Sequence, residues 1–184
     1  MNAEGDDFAI LGFEDLARKY GSALDSGGEI PLPRSFPSGA HVAEVEIDPE
    51  TGATALVGYT AVDDCGNVLD HMVVEGQVHG AIVQGVGQVL MEHLVYDLAG
   101  QLVTGSFMDY AMPRAADVPS LTAAEHSVPA TTNPLGVKGV GEAGTTGALA
   151  AIMNAIADAV PAAAQMDMPA TAEKIWAACR GRSA

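Results

Sequence analysis

Residues 41–62 alternate between apolar and polar side chains, which is the pattern of half-buried β-strands. Val45 and Ile47 alternate with acidic residues, and the segment 48–52 combines Asp, Pro and Gly in a way typical of a turn. Residues 54–62 are rich in Thr, Val and Tyr, which favour extended backbone. The pattern therefore predicts a β-hairpin over residues 41–62.

Four other segments have apolar residues at helical spacing. They are Phe13–Tyr20, 74–96, 145–160 and 171–180. The segment 74–96 contains several glycines, and each is expected to cost about 1 kcal/mol relative to alanine in a helix. We therefore predict that another element packs very close to the glycine-bearing face of this helix.

The remaining segments complete an α+β fold, in which a β-hairpin and short strands pack with three main helices. Short strands are predicted at 101–104 and 121–128, and the Gly-, Pro- and Ser-rich stretch 21–37 is predicted to be a linker or surface loop. We expect residues 1–38 to be an irregular N-terminal segment with a short helix, followed by a domain over residues 39–184.

Composition and charge narrow the class of partner. The 184 residues include 24 acidic and 8 basic side chains, a net charge of −16, and 48% are hydrophobic, which is enough to build a core. This charge argues against binding to a nucleic-acid backbone or an anionic membrane surface. The longest apolar run, 149–164, is interrupted by Asn154, Asp158 and Pro161, so it does not predict a membrane span.

The cysteines and the N-terminal residues bear on the compartment. Cys65 and Cys179 are far apart and form no CxxC motif, so they predict neither a disulfide framework nor a zinc site. The first residues lack the basic and apolar regions of a secretory signal. We therefore expect a reduced, cytoplasmic setting.

The segment 139–144 matches the G-x-G-x-x-G pattern and precedes a predicted helix. A dinucleotide-binding interpretation needs a buried strand directly before the loop and a ribose-binding acid about 20 residues later. Residues 133–136 make a poor buried strand, and Glu142 would place a negative charge beside a pyrophosphate. The pattern favours a Gly-rich loop that begins a helix, and tight NAD binding by the chain would contradict this interpretation.

Glu142 is a candidate general base because it sits in a glycine-rich loop at a predicted helix N-terminus. The helix dipole favours its ionised form, whereas burial would favour the neutral acid. Lys138, four residues earlier, could hold a negative charge on Glu142 or on a ligand. The alternative is that Glu142 only stabilises its own helix.

Two further side chains carry candidate roles. Gln84 lies beside Gly85 in an apolar helix, so a buried amide would need a partner, either an oxo group or heterocycle or the nearby backbone. Cys65 follows Asp63 and Asp64, whose charges disfavour a thiolate, so an unreactive thiol is expected. The histidines have no metal-ligand spacing, which favours structural or surface roles.

Five segments in a fixed order carry a resemblance to a known family. They read GAHVAEVE, VDDCG, EGQVHGAIVQGVG, GSFMDYAMP and TNPLGVKGVGEAG, and the last helix, TAEKIW, fits as well. From about Phe36 to the end, they resemble the C-terminal part of the molybdenum-binding large subunit of the molybdenum hydroxylases. This is the xanthine dehydrogenase and aldehyde oxidase superfamily, and the resemblance is strongest to its aerobic carbon monoxide dehydrogenase-like branch.

The resemblance implies a role for several residues. It makes Glu142 the active-site base beside molybdenum and places Gln84 near the metal's oxo ligand and the pterin. It also implies that the cofactor is lined by the loop and turn residues Lys138, Gly139, Val140, Gly141, Cys65 and Asn67. Molybdenum would be held by the pterin dithiolene, so no side chain of this chain is implied as a metal ligand.

The resemblance also implies the reaction, the cofactors and the partners. The reaction would be oxidative hydroxylation of an aldehyde, an N-heterocycle or a similar small substrate, with water as the oxygen source. The cofactor would be molybdopterin in its cytosine dinucleotide form. Electrons would leave through an iron–sulfur subunit to an FAD subunit, and the rest of the molybdenum-binding lobe would complete the pocket.

The chain departs from the family in length and in one turn. It lacks the N-terminal lobe, so it is expected to be a fragment of a longer product or a separately encoded subunit, inactive alone. Asp70-His71 stands where the family usually has Asn-Pro. A non-catalytic remnant that serves as an assembly or binding module is the competing interpretation.

Overall fold

Residues 13–21, 27 and 34–181 are described by the computed structural model of this chain. They belong to two units, Met1–Pro33 and Arg34–Ala184. The first unit contains helix α1, Phe13–Tyr20, as predicted. Most of the linker predicted at 21–37, and the irregular residues before α1, lie outside the described residues.

The second unit is built on a three-stranded sheet in the order β1-β2-β3. Strand β1, Ser38–Ile47, pairs antiparallel with β2, Thr54–Asp64, which confirms the predicted hairpin. Strand β3, Leu121–Glu125, runs parallel to β2 and confirms the strand predicted near residue 121. Because side chains alternate along β2, one face of this central strand is buried.

Three helices pack with this sheet, namely α2, His71–Leu90, α3, Ala143–Ala159, and α4, Ala172–Cys179. Their presence confirms the three main helices. Helix α2 begins at His71 because the side chain of Asp70 accepts a hydrogen bond from the backbone N–H of Val73 at 3.1 Å. The Asp70-His71 pair is therefore a helix start in this chain.

The segment after α2 differs from the prediction in two ways. Helix α2 ends at Leu90, whereas its pattern extended to residue 96. The strand predicted at 101–104 is wrong, since its only pairing is the isolated bridge between Tyr96 and Leu102. The chain turns again shortly afterwards, where the N–H of Tyr110 donates to the carbonyl of Ser106 at 2.8 Å.

Helices α2 and α3 pack closely where glycines lack side chains. This confirms, for part of the glycine-bearing face of α2, the close packing predicted from the sequence. A Cβ built on Gly85 would lie 2.5 Å from the Cβ of Ala148, and one on Gly144 would lie 2.6 Å from the carbonyl oxygen of Val78. Gly80, in contrast, has no other atom within 4 Å of such a Cβ. Gly80 therefore faces open space, and the predicted close packing does not extend to it.

The core lies between the buried face of the sheet and helices α2, α3 and α4. Its largest fully buried side chains are Ile82, Val86, Val89, Ile152, Ile156 and Ile175. Among the described helices, none has the length and apolar character that a membrane crossing requires. The rigid core leaves the turn after β2 and the loop before α3 together at one end of the sheet.

Candidate active site

The turn that follows β2 and the loop that precedes α3 are joined by hydrogen bonds. The N–H of Asn67 donates to the carbonyl of Gly136 at 2.9 Å, and the N–H of Lys138 donates to the carbonyl of Cys65 at 2.8 Å. The side-chain amide of Asn67 donates to the carbonyl of Leu135 at 2.8 Å. The structure thus brings Cys65, Asn67 and Lys138 together although they are far apart in the sequence.

Glycine permits this close approach at two positions. Gly66 and Gly136 have φ angles of +70° and +67°, in the left-handed region that side chains disfavour. A Cβ on Gly136 would also lie 2.7 Å from the side-chain nitrogen of Asn67, and one on Gly66 would lie 3.0 Å from the backbone nitrogen of Lys138. Both conformation and space therefore require glycine here.

Asp64 is the anchor of the two segments. Its carboxylate accepts a 2.5 Å hydrogen bond from Nζ of Lys138 and two 2.9 Å bonds from the N–H groups of Val128 and Gly66. These donors favour the charged form, the Lys138 ammonium most of all, and lower the pKa of Asp64 to about 2. The partner of Lys138, which the sequence left open between Glu142 and a ligand, is Asp64.

Asp64 was not among the candidate site residues predicted from the sequence, where it was considered only as a charge beside Cys65. The available sequence signal was the acidic pair before Cys65 together with a lysine in a later loop. Spacing along the chain does not show, however, that residues 64 and 138 are in contact. Cys65 itself is 4% exposed. Burial raises the pKa of its thiol, and the negative charge of Glu125 adds to this effect, which agrees with the unreactive thiol expected from the sequence.

Glu142 occupies the N-cap position of α3 with its side chain exposed. The side chain makes no capping hydrogen bond to the helix. Within the part of the chain that the structure describes, its carboxylate has no hydrogen bond or ion pair. Its backbone carbonyl accepts bonds from the N–H and the hydroxyl of Thr146, both at 3.0 Å. The helix is thus fixed beneath Glu142 while the carboxylate stays available to a ligand.

The exposed face of α2 adjoins this loop. Gln77 and Gln84 are exposed and seven positions apart, which places them on one face about 10 Å apart along the helix. A Cβ on Gly141 would lie 4.0 Å from Oε1 of Gln77. Gln84 is exposed, so it needs no internal partner, and it lies two turns farther along α2. Gln77 was missed in the sequence, although its spacing from Gln84 was the available signal.

Glycines keep this region open. A Cβ on Gly76, Gly80 or Gly139 would meet no other atom within 4 Å. Val140, in contrast, packs partly against the core and holds the loop in place. The site therefore offers a free carboxylate, two amides and exposed backbone around uncrowded space. These groups can form hydrogen bonds with a polar ligand.

Two other classes of site are not supported by the described residues. The loop before α3 follows no strand, since Val137 makes only an isolated bridge to Gly66, so a Rossmann-type turn is absent there. Within the described ranges, no three His, Cys, Asp or Glu side chains are grouped to hold a metal ion.

Comparison with known proteins identifies the family to which the chain belongs. Residues 16–119, more than half of the chain, match the family model of the molybdopterin cofactor-binding domain. The chain therefore belongs to the molybdopterin cofactor-binding domain family. It is 40% identical over 148 residues to the nicotine 6-hydroxylase large subunit of Paenarthrobacter nicotinovorans, a match that covers 79% of this chain and 18% of that protein.

Two further similarities extend the comparison. The chain is 30% identical over 187 residues to the carbon monoxide dehydrogenase large chain of Hydrogenophaga pseudoflava, covering 96% of this chain and 23% of that protein. Its fold matches quinoline 2-oxidoreductase from Pseudomonas putida 86 with a TM-score of 0.73 and 40% identity, over 78% of this chain and 19% of that one. The chain spans about a fifth of the length of these relatives. The resemblance to molybdenum hydroxylase large subunits, including a carbon monoxide dehydrogenase, is confirmed.

Proposed function

We propose that this chain contributes the active-site base and part of the molybdopterin site of a molybdenum hydroxylase. The enzyme would oxidise an aldehyde, an N-heterocycle or a similar small substrate, with water as the source of oxygen. The observation that carries the proposal is the exposed carboxylate of Glu142 at the N-cap of α3, which has no hydrogen bond or ion pair among the described residues. The domain over residues 39–184 would be the cofactor-binding part, and residues 1–38 a leading segment.

The residues around Glu142 fit a pterin cofactor. The amides of Gln77 and Gln84 can donate to and accept from a heterocycle, and the backbone at Gly139 and Gly141 is open to a flat ligand. Val140 would position this backbone. We propose that Lys138, Cys65 and Asn67 line the cofactor mainly by fixing the loop, because their polar atoms already bond Asp64 and the backbone.

The proposed catalytic role of Glu142 is proton transfer. When bound, the molybdenum cofactor supplies the two-electron oxidation and the reactive oxygen that derives from water. A carboxylate oxygen of Glu142 would accept a proton from the water consumed in the reaction, because no hydrogen bond from the described residues occupies the carboxylate. Gln77 and Gln84 orient the bound groups by hydrogen bonding and do not transfer protons themselves.

Exposed apolar side chains support the proposal that other protein completes the pocket. The largest include Leu69, Met72, Leu98, Phe107 and Met108, which are 72%, 78%, 110%, 86% and 96% exposed. We propose that the remaining molybdenum-binding lobe covers such residues, since the chain spans about a fifth of its relatives. An iron–sulfur subunit and an FAD subunit would accept the electrons, the pterin would be the cytosine dinucleotide form, and the complex would be cytoplasmic.

The Glu142→Gln variant of the complete complex tests the proposal. The amide keeps the shape of the side chain but cannot accept the proton, so turnover per molybdenum should fall by about 10²- to 10⁴-fold with molybdenum content unchanged. Glu173→Gln is the matched control, because Glu173 is an exposed acid in the first turn of α4. Unchanged turnover of Glu142→Gln at full molybdenum content would instead indicate a non-catalytic assembly module.

A further inference from the structure

A buried polar cluster lies beneath the first turns of α3, on the inner face of the hairpin. His41 is paired with Ala61 in the β1–β2 register, so Tyr59 and Asp63 flank it on the same face. Its Nδ1 lies 2.7 Å from the hydroxyl of Tyr59, and its Nε2 lies 3.2 Å from Oδ1 of Asp63. The side chains of His41 and Asp63 are 4% and 7% exposed.

The side chains of Tyr59, His41 and Asp63 are linked in series by hydrogen bonds. Burial and the charge of Asp63 raise the pKa of Tyr59, so its hydroxyl stays protonated and can donate to Nδ1 of His41. In the matching tautomer of His41, Nδ1 accepts from Tyr59 and the Nε2–H donates to the carboxylate of Asp63. With both ring nitrogens bonded, the orientation of the His41 ring is fixed.

The fixed ring bears directly on α3. A Cβ built on Gly147 would lie 2.5 Å from Cγ and 2.6 Å from Cε1 of His41, so the ring packs against the backbone of the helix. On the other side of the cluster, a Cβ on Gly39 would lie 2.8 Å from the carbonyl oxygen of Val62 and would also meet the carboxylate of Asp63. Because glycine has no Cβ, Gly147 and Gly39 leave the space that the side chains of His41 and Asp63 occupy.

The contact lies close to the candidate base. Gly147 follows Glu142 by five residues, about 7.5 Å along the helix axis. A cavity of about 180 Å³ is bounded by His41 and Asp63 on one side and by Ala143, Thr146 and Gly147 on the other. A shift of the His41 ring would therefore act on the helix at Gly147, directly after the first turn that Glu142 begins.

We propose that His41 is a positioning residue for Glu142, whose ring, held between Tyr59 and Asp63, sets the place of the first turn of α3. This inference rests on the proposed function, since it concerns the geometry of the proposed base. A displacement of about 1 Å at a catalytic group is enough to cost up to about 100-fold in rate. The cluster thus acts through helix α3 and does not touch the reacting atoms.

The test compares His41→Gln with His93→Gln in the complete complex, since His93 is exposed at the surface. His41→Gln should lower kcat per molybdenum about ten- to 100-fold, with KM and molybdenum content near those of the unchanged protein, and His93→Gln should change neither. Hydrogen exchange should become faster at the amides of Thr146 and Gly147, which are hydrogen-bonded in the first turns of α3, and stay unchanged in α4. Unchanged kcat and unchanged exchange in His41→Gln would overturn the inference.

A double-variant comparison tests the contact itself. Gly147→Ala alone should lower kcat as His41→Gln does, because its Cβ meets the imidazole. In a His41→Ala background the ring is gone, so adding Gly147→Ala should cause little further loss. Additive losses would show that the two residues act separately and would overturn the inference.

Two controls separate the possible failures. If His41→Gln does not fold, Tyr59→Phe removes only the hydroxyl and keeps the aromatic ring, and it should still lower kcat and speed exchange in the first turn of α3. If Glu142→Gln lacks turnover but both His41→Gln and Tyr59→Phe retain full turnover, the positioning role alone is wrong. Full turnover of Glu142→Gln would overturn the proposed function and the positioning role together.

Discussion

Lys138 and Asp64 form an ion pair, with Nζ of Lys138 2.5 Å from Oδ2 of Asp64 and side chains 12% and 11% exposed. The pair joins residues 74 positions apart, so it holds the end of β2 against the loop that leads to Glu142. Because Asp64 also accepts two backbone N–H groups, this one carboxylate ties three segments of the chain. Its charge therefore governs the geometry of the loop.

Low pH should weaken the interactions that Asp64 makes as a carboxylate. The pKa of Asp64 is lowered from 3.8 to about 2, so the stability it contributes is complete above its ordinary pKa and is lost as the pH falls from about 4 towards 2. Asp64→Asn removes the charge and should lower the thermal unfolding midpoint at pH 7. The difference in midpoint from the unchanged protein should shrink between pH 4 and pH 2.

A matched variant shows whether the effect belongs to Asp64. Glu46 is exposed on β1 and has no ion pair within the described part of the chain, so Glu46→Gln should leave the midpoint nearly unchanged over the same pH range. A difference between Asp64→Asn and the unchanged protein that stays constant from pH 7 to pH 2 would contradict the assignment.

The two glycines on α2 should respond oppositely to alanine. In Gly85→Ala the new Cβ would lie 2.5 Å from the Cβ of Ala148, so the helices must separate, and the free energy of unfolding should fall by about 1–3 kcal/mol. Gly80→Ala meets no atom within 4 Å and should raise it by up to about 1 kcal/mol through helix propensity. Urea unfolding of the two variants, each against the unchanged protein, measures both effects. Equal effects of the two changes would show that α2 and α3 are not in close contact at Gly85.

The two cysteines should differ in reactivity. Cys65 is buried and the pKa of its thiol is raised, whereas Cys179 is partly exposed. At neutral pH, iodoacetamide should modify Cys179 first and leave Cys65 protected, because alkylation requires an accessible thiolate. Peptide mass spectrometry after timed quenching measures the two rates. In urea the rates should converge, and rapid labelling of Cys65 in the folded protein would contradict its burial.

Local signals predicted most of the elements. The hairpin, the strand near residue 121 and the three main helices follow from periodicity and from turn residues, which act over a few neighbours. The end of α2 at Leu90 and the absence of a strand at 101–104 were not predictable, because they depend on how residues 91–110 fold back on themselves. The helical spacing of apolar residues continues past Leu90 to residue 96, so it does not show where α2 ends.

Some features of the candidate site were likewise predictable from the sequence and others were not. The family resemblance carried by the motifs between Gly39 and Gly144 implies the cofactor class and the role of Glu142, and the family match agrees with that class. The sequence does not reveal that Lys138 pairs with Asp64, that Gln77 lies beside Gly141, or that His41 supports Gly147. Each of these contacts joins residues far apart in the chain.

The sequence by itself thus determined the fold class and most of the elements in their order, and it indicated candidate residues for the site, because propensity and motif spacing are local properties. Tertiary structure alone decided which charges are neutralised and which stay free. Docking of the loop before α3 on the turn after β2 buries Asp64 with Lys138, whereas the Glu142 carboxylate has no partner among the described residues. A charge is paired or free according to which side chains folding brings within about 4 Å of it, and spacing along the chain does not fix that distance.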